Sequence, residues 1–280
     1  MARDTSFSYS FLVLPDDQRR AIGLVWDFCR AVDDAVDEAV DPAAAAIEVG
    51  KWRAEVSRLF GSEEPHTPQA RALQPCVEHF RLSRQPFDDL VDGVEMDLRR
   101  NRYETFDELV EYCRRVASAV GIMCIEVFGC RDSRSREYAF NLGLALQLTN
   151  IIRDVKTDLD KGRIYLPQED LRRFGVTEAA LAAGRVDEPM RALLTFEAER
   201  ARQFYSAAAH AMPHGEIRKL VAAEIMGGIY FEILQRIERR GFDVFSSVIR
   251  VPKFVRARIA AQVWAMSHLS AFGWLLTRSS

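Results

Sequence analysis

The sequence predicts an all-α protein, a helical bundle with a central cavity. Apolar residues recur at helical spacing along nearly the whole chain, and no run of alternating β-branched residues is long enough to form a sheet. Two separate segments also carry carboxylates four residues apart, which places them on one face of a helix. With 280 residues and 48% hydrophobic content, the chain can bury a large core, and we predict a single domain over residues 1–280.

Turn and capping residues divide the chain into successive helices. Pro15 opens the first helix, which carries the first acidic segment, and Asp41-Pro42 closes it. Segment 61–68, rich in Gly, Pro and polar residues, predicts an exposed loop, and residues 161–167 predict an irregular connection. The remaining apolar periodicity predicts helices over residues 43–60, 69–83, 86–100, 106–128, 133–158, 188–210, 216–240 and 253–276.

Composition and missing motifs exclude several classes of protein. A net charge of −3 and a pI near 6.0 give no broad attraction for nucleic acid, so no nucleic-acid partner is expected. The five cysteines have no CxxC spacing and no secretory signal precedes them, which indicates reduced thiols in a cytoplasmic protein. The sequence contains no GxSxG, GxxxxGK(S/T), GxGxxG or HExxH motif, which argues against serine hydrolases, P-loop and Rossmann proteins, and zinc proteases.

The segment 259–277 carries no formal charge and is flanked by arginines. Its length is that of a membrane span, but Gln262, Ser267, His268 and Ser270 interrupt its apolar character. A buried or surface-lying amphipathic helix is therefore the expectation, with peripheral membrane contact as an open alternative.

The two acidic segments place Asp33 and Asp37, and again Asp154 and Asp158, one helical turn apart. Each pair repels itself by about 0.2–0.5 kcal/mol unless a cation lies between the carboxylates. Two such pairs facing one another would form an oxygen cage suited to Mg²⁺, which prefers carboxylate and phosphate oxygens, with Mn²⁺ as an alternative. The sequence therefore indicates a metal-dependent handler of diphosphates.

Carboxylates at this spacing are also common on solvated helix faces, and either pair alone would favour that simpler interpretation. Here apolar residues flank both pairs, and Gln147 and Asn150 extend the second pair into a polar stripe along one helix face. A solvated face does not need two amides at those positions. The joint pattern favours a metal and diphosphate site.

Four segments along nearly the whole chain resemble, in order, the motifs of the squalene and phytoene synthase family, the head-to-head prenyl transferases. Residues 6–15 are similar to the family's SFxxAxxLLP entry, and residues 29–37 to its CRxxDDxxD motif. Residues 112–121 are similar to YCxxVAGxVG. Residues 147–167 are similar to QLTNILRDxxxD followed by GRIYLP.

The resemblance implies an isoprenoid synthase fold and Mg²⁺-assisted ionisation of prenyl diphosphate substrates to an allylic cation. The metal ligands that it implies are Asp33, Asp37, Asn150, Asp154 and Asp158. The diphosphate ligands that it implies are Ser6, Arg30, Gln147, Arg153, Tyr230 and Arg250. The implied lining of a dry cavity is Phe7, Phe11, Trp26, Val120 and Gly121, with Tyr112 as a cation stabiliser or proton relay.

Among relatives, the chain looks most like the bacterial presqualene diphosphate synthases of hopanoid pathways, which join two farnesyl diphosphates. Ser118 stands where the family usually has glycine, and Trp26 where it often has tyrosine; both changes bear on substrate fit more than on chemistry. Phytoene, dehydrosqualene and complete squalene synthesis are alternatives. NADPH is not expected, although family members bind it without a Rossmann motif.

The resemblance also bears on protein partners and on whether the chain is an enzyme. The product of a prenyl transferase of this family would imply, as a partner, a downstream enzyme of a hopanoid or carotenoid pathway. Some relatives with this fold are assembly factors for respiratory complexes rather than enzymes. The intact carboxylates of both acidic pairs argue against that alternative.

Overall fold

The computed structural model describes residues 10–269, and within this range the chain is helical with no strand, as predicted. Arg102 and Ile164 form an isolated parallel bridge. The helices are α1 (Asp16–Asp37), α2 (Pro42–Leu59), α3 (Pro68–Phe80), α4 (Gln85–Arg99), α5 (Phe106–Cys113), α6 (Ala119–Val127), α7 (Ser133–Asp160), α8 (Gln168–Phe174), α9 (Glu178–Ala183), α10 (Glu188–Ala211), α11 (Val221–Arg239) and α12 (Lys253–Leu269).

The long helix α7 is the centre of the bundle. It packs against α6, α10 and α11, while α1 packs against α2, α3, α4 and α6 on the other side of the cavity. Large side chains such as Phe28, Tyr138 and Leu148 are fully buried in one continuous apolar core. With 28 residues, α7 is about 42 Å long and can carry residues for both the apolar core and a polar site.

Local capping explains several of the helix starts. Asp41, Thr67, Thr105 and Asp187 each stand just before a helix, and each side chain accepts a hydrogen bond from a backbone N–H in its first turn. These caps agree with the predicted starts to within a residue or two. The predicted loop at 61–68 and the irregular connection at 161–167 are confirmed.

The predicted helix over 106–128 is instead interrupted by a π-helical turn, Arg114–Ser118. The turn lies against two glycines: a Cβ on Gly93 would sit 2.7 Å from Arg115 Cβ, and a Cβ on Gly143 would sit 2.7 Å from Ser118 Cα. Glycine is required at both places because the backbones approach so closely. Such turns are frequent at functional sites, and this one contributes residues to the cavity wall.

Two short helices, α8 and α9, were not expected from the sequence. At seven and six residues they are too short to show apolar periodicity. Their ends carry local signals, since each is closed by a glycine, Gly175 or Gly184, in the left-handed conformation.

The C-terminal prediction is confirmed as a helix over Lys253–Leu269, and its remainder lies outside the described residues. None of the helices between residues 10 and 269 combines the length and the hydropathy needed to cross a bilayer. All five cysteines are free. The single-domain assignment for 1–280 stays a prediction.

Candidate active site

A cavity of ≈ 300 Å³ lies between α1, α6, α7 and α11. One end is polar and contains Asp33, Asn150, Arg153 and Tyr230, whereas the remaining wall is mostly apolar. This division of one cavity into a charged end and an apolar interior suits a ligand with an anionic head and a hydrocarbon tail.

The cavity wall includes nine of the residues proposed from the sequence. They come from segments far apart in the chain and are Phe11, Trp26, Asp33, Val120, Gly121, Gln147, Asn150, Arg153 and Tyr230. Their individual roles stay predictions. Ser6 and Phe7, also proposed from the sequence, lie outside the described residues.

The polar stripe of α7 is placed by its helical spacing. Gln147, Asn150 and Arg153 follow one another at steps of three and line the cavity. Leu148 and Ile152, on the intervening positions, are buried in the core. The polar residues at this spacing therefore face the cavity, while the apolar residues between them pack in the core.

The carboxylate of Asp33 is in an unfavourable electrostatic environment. The residue lines the cavity and is itself exposed to the water in the cleft, with protein on the other sides. Removal from bulk water, followed by repulsion from Asp37 and Asp97, raises its pKa to about 7. A cation placed here would relieve that repulsion.

The second acidic pair shows the same effect. Burial first, and then repulsion from Asp154, raises the pKa of Asp158 to about 7, although Lys161 and Arg163 oppose the shift. Asp154 instead forms a two-point ion pair with the neighbouring guanidinium of Arg153, with Nε to Oδ1 at 2.8 Å. The carboxylate of Asp154 is thus neutralised by an ion pair, whereas the negative charge of Asp158 is left in excess.

Two cations on the connection after α7 join the acidic segments. Lys161 Nζ donates to Asp37 Oδ2 at 2.7 Å, and Arg163 Nη1 donates to Asp37 Oδ1 at 2.9 Å. Burial tends to raise the pKa of Asp37, but these two hydrogen bonds outweigh it and lower the pKa. The C-terminal ends of α1 and α7, which carry the two motifs, are therefore close together.

Asp97 on α4 was missed by the sequence reasoning. Its Oδ2 accepts a hydrogen bond from the hydroxyl of Tyr112 at 3.1 Å, and its Oδ1 accepts one from Tyr165 at 3.1 Å. Burial, only partly offset by Arg163 and the two tyrosines, raises its pKa to about 6. Asp97 also raises the pKa of Asp33 and of Asp158, so it lies near both acidic segments.

A signal for Asp97 existed in the sequence. Asp97 continues the helical spacing of the buried residues Leu90 and Val94, which makes it a carboxylate on the apolar face of α4. An aspartate is seldom buried in a protein unless its carboxylate is paired. Tyr165 also contacts this carboxylate directly.

The remaining proposed residues lie at different places. Tyr112 is buried and stacks on Tyr165, with ring centroids 5.2 Å apart, and it is not part of the cavity wall described here. Arg30 is exposed and lies 3.7 Å from Asp34. Arg250 is exposed on the segment that precedes α12 and likewise lies off that wall.

The donor set suits a hard divalent cation, although no three acidic, His or Cys side chains between residues 10 and 269 converge as ready-made metal ligands. Asn150 Oδ1 is buried at the cavity wall, and no described atom donates a hydrogen bond to it. The carboxylates of Asp33 and Asp158 carry the excess negative charge described above. Oxygen donors with such a charge fit Mg²⁺.

Comparison with known proteins identifies the family. The profile described as squalene/phytoene synthase matches residues 1–255. This chain belongs to the squalene/phytoene synthase family. Among relatives, a phytoene synthase of Arthrospira platensis is 40% identical over 255 residues, covering 86% of this chain and 82% of the relative. A presqualene diphosphate synthase of Rhodopseudomonas palustris is 33% identical over 263 residues, covering 94% of each.

Solved structures agree with this family assignment. A dehydrosqualene synthase, crystallised with a ligand, superposes with a TM-score of 0.82 at 27% identity, covering 94% of this chain and 92% of the other. The fold is therefore that of squalene synthase-type isoprenoid synthases, as the sequence resemblance implied. Family members of this kind carry out head-to-head prenyl transfer.

Proposed function

We propose that this protein joins two farnesyl diphosphates head to head, forming presqualene diphosphate and releasing diphosphate. The observation that carries the proposal is one cavity whose polar end holds Asp33, Asn150 and Arg153 and whose interior is apolar. The polar end would bind diphosphate, and the apolar interior would bind the prenyl chain.

The depth of the cavity supports a substrate of farnesyl length. Along α7, the wall extends from Asn150 at the polar end to Tyr138, twelve residues away, or about 18 Å. An extended isoprene unit is about 5 Å long from ordinary carbon–carbon bond lengths. Three extended units therefore fit along this part of the wall.

The chain's own residues suit each stage of the reaction. Arg153 stays charged and can hold a diphosphate oxygen at the polar end. Mg²⁺ held by the two acidic pairs and Asn150 would stabilise the charge that grows on the diphosphate as it leaves. Apolar walls exclude water from the allylic cation, and the ring of Trp26 offers a π face without a nucleophile.

The atoms balance without an oxidant or reductant. The carbon–oxygen bond of one substrate breaks and inorganic diphosphate leaves. The resulting cation bonds to the double bond of the second substrate, and loss of one proton closes the cyclopropane ring. NADPH is needed only if the product is then reduced.

Phytoene synthesis from two geranylgeranyl diphosphates is the second candidate. The relative at 40% identity is a phytoene synthase, whereas the presqualene diphosphate synthase is at 33%. The two candidates differ in one isoprene unit per substrate. Purified protein should therefore be incubated with Mg²⁺ and farnesyl or geranylgeranyl diphosphate, with and without NADPH, and the products identified by mass spectrometry.

Presqualene diphosphate from farnesyl diphosphate, unchanged by NADPH, is the expected product. Phytoene from the longer substrate, with no product from the shorter, would replace the proposal by the second candidate. No diphosphate release from either substrate would favour the non-enzyme alternative, an assembly factor. As a site test, Asp33→Asn or Asp154→Asn should lower turnover at least about 100-fold, while Asp160→Asn on the exposed side of α7 should not.

A further inference from the structure

The ring of Tyr138 closes the apolar end of the cavity on the side of α7. Of the residues that α7 contributes to the described wall, Tyr138 lies farthest from Arg153 at the polar end. Between these two, α7 contributes small or aliphatic side chains to the wall, among them Ala139, Gly143 and Leu146. Tyr138 is only 1% exposed, so protein surrounds its ring wherever it does not face the cavity.

A buried hydrogen bond fixes the position of this ring. The hydroxyl of Tyr138 donates to Oε1 of Glu224 on α11 at 2.7 Å. Glu224 is buried and is not itself part of the described wall. It lies in the first turn of α11, where the partial positive charge of the helix end favours a carboxylate. Because a buried hydroxyl without its acceptor is unfavourable, the ring is held in one place.

The backbone that carries Tyr138 is fixed as well. A Cβ on Gly121 of α6 would lie 3.0 Å from the carbonyl oxygen of Ala139, the residue next to Tyr138. A Cβ on Gly227 of α11 would lie 3.2 Å from Leu142 Cδ1, one helical turn further along α7. The start of α7 is therefore packed closely against both neighbouring helices, and a longer ligand gains no room by shifting it.

We infer that the ring of Tyr138 sets the upper limit on the length of the prenyl chain that this cavity accepts. The diphosphate of the ligand is held by charge at the polar end, so the length of the chain decides how far its tail reaches along α7. A tail that reaches Tyr138 meets a ring that neither its hydrogen bond nor its backbone allows to move. This inference rests on the proposed function for its ligand class, a prenyl diphosphate, but not on which product forms.

Removing the ring should extend the cavity by the room that one more isoprene unit needs. A large-to-small change in an apolar site can leave a dry space of about 150 Å³ that takes up benzene, a molecule of six carbons. An isoprene unit has five. Each further buried methylene contributes about fourfold in affinity, so two that find room give a gain of at least about tenfold.

The test is isothermal titration calorimetry of the full-length protein with Mg²⁺ and the thiolodiphosphate analogues of farnesyl and geranylgeranyl diphosphate. These analogues carry a sulfur bridge and ionise slowly, and the measured quantity is the ratio of their two dissociation constants. Tyr138→Ala should shift this ratio towards the longer analogue at least about tenfold. Tyr138→Leu, which leaves a smaller cavity and costs the fold less, should shift it in the same direction. Tyr138→Phe keeps the ring and should leave the ratio as in wild type.

The matched control is Tyr205→Ala, which should also leave the ratio unchanged. Tyr205 is a buried tyrosine, 4% exposed, whose hydroxyl lies 3.1 Å from Thr149 Oγ1, and it is not part of the described cavity wall. An unchanged ratio in Tyr138→Ala or, if that variant does not fold, in Tyr138→Leu overturns the inference. So does an equal shift in Tyr205→Ala or Tyr138→Phe, and so does a wild type that binds neither analogue. If the ratio shifts as expected but the wild type releases no diphosphate from either substrate, the inference stands and the proposed reaction fails.

Discussion

Replacing Asp158 by Asn should stabilise the metal-free protein at neutral pH, which is the reverse of what loss of a paired carboxylate would do. The pKa of Asp158 rises from 3.8 in an unfolded chain to about 7 in the fold, chiefly through burial and then repulsion from Asp154. Below about pH 4 the group is protonated in both states and costs nothing. The penalty grows as the pH rises from 4 to 7 and is complete above 7.

The magnitude follows from the shift. About three pKa units correspond to about 4 kcal/mol as a ceiling. Asp158 is only half-buried and its charge is screened by water in the cleft, so about 1–2 kcal/mol is the expected effect. For a chain of this size, that is an increase in Tm of about 2–3 °C at pH 8 in EDTA, vanishing towards pH 4.

The assay is thermal unfolding in EDTA across this pH range, repeated with excess Mg²⁺. Bound metal stabilises the wild type by about 2.7 kcal/mol at a hundred times its Kd, and the variant less, so the order of stabilities should reverse. Asp160→Asn is the control, because Asp160 is exposed and pairs only with Lys156 in the described structure. If Asp158→Asn is no more stable than wild type at pH 8 without metal, the electrostatic reasoning is wrong.

Three further changes test the surroundings of the site. Gly143→Ala should destabilise the fold by about 1–3 kcal/mol in urea, because its Cβ would lie 2.7 Å from Ser118 Cα; an unchanged midpoint would contradict this contact. Asp97→Asn should leave the fold intact but lower kcat at least about tenfold. In Asn, the amide oxygen can accept a hydrogen bond from one tyrosine hydroxyl, but the NH2 group faces the other hydroxyl and cannot accept from it. A wild-type kcat would contradict this prediction. Glu197→Gln should raise stability progressively between about pH 4.5 and pH 8, with most of the gain already present at pH 7, since burial raises the pKa of Glu197 from 4.5 to about 8; a loss of about 3 kcal/mol at pH 7, as for a broken buried ion pair, would contradict it.

Most long helices and much of the candidate site were predictable because both depend on local spacing. The caps at Asp41 and Thr67 and the apolar periodicity between them are properties of neighbouring residues. The stripe of Gln147 and Asn150 needed only helical geometry to be placed on one face. The interruption at Arg114–Ser118 was not predictable, because it depends on two glycines from other helices.

The electrostatics of the site depended on segments far apart in the chain. Nothing near Asp37 in sequence indicates that Lys161 and Arg163 would hydrogen-bond to it, and nothing near Asp97 indicates its two tyrosine donors. These contacts arise only when α1, α4 and the connection after α7 pack together. The pKa of a carboxylate reflects all charges nearby in space, whatever their order in the chain.

By itself, the sequence determined the helical class and the family and predicted the residues of the candidate site, because helical periodicity and motif spacing are local and repeat along the chain. Only the tertiary structure decided which carboxylates are ion-paired and which carry negative charge that no cation balances. It also decided how deep the cavity is and which side chains close it. Charge interactions, cavity depth and burial all depend on distances between helices, and packing sets those distances.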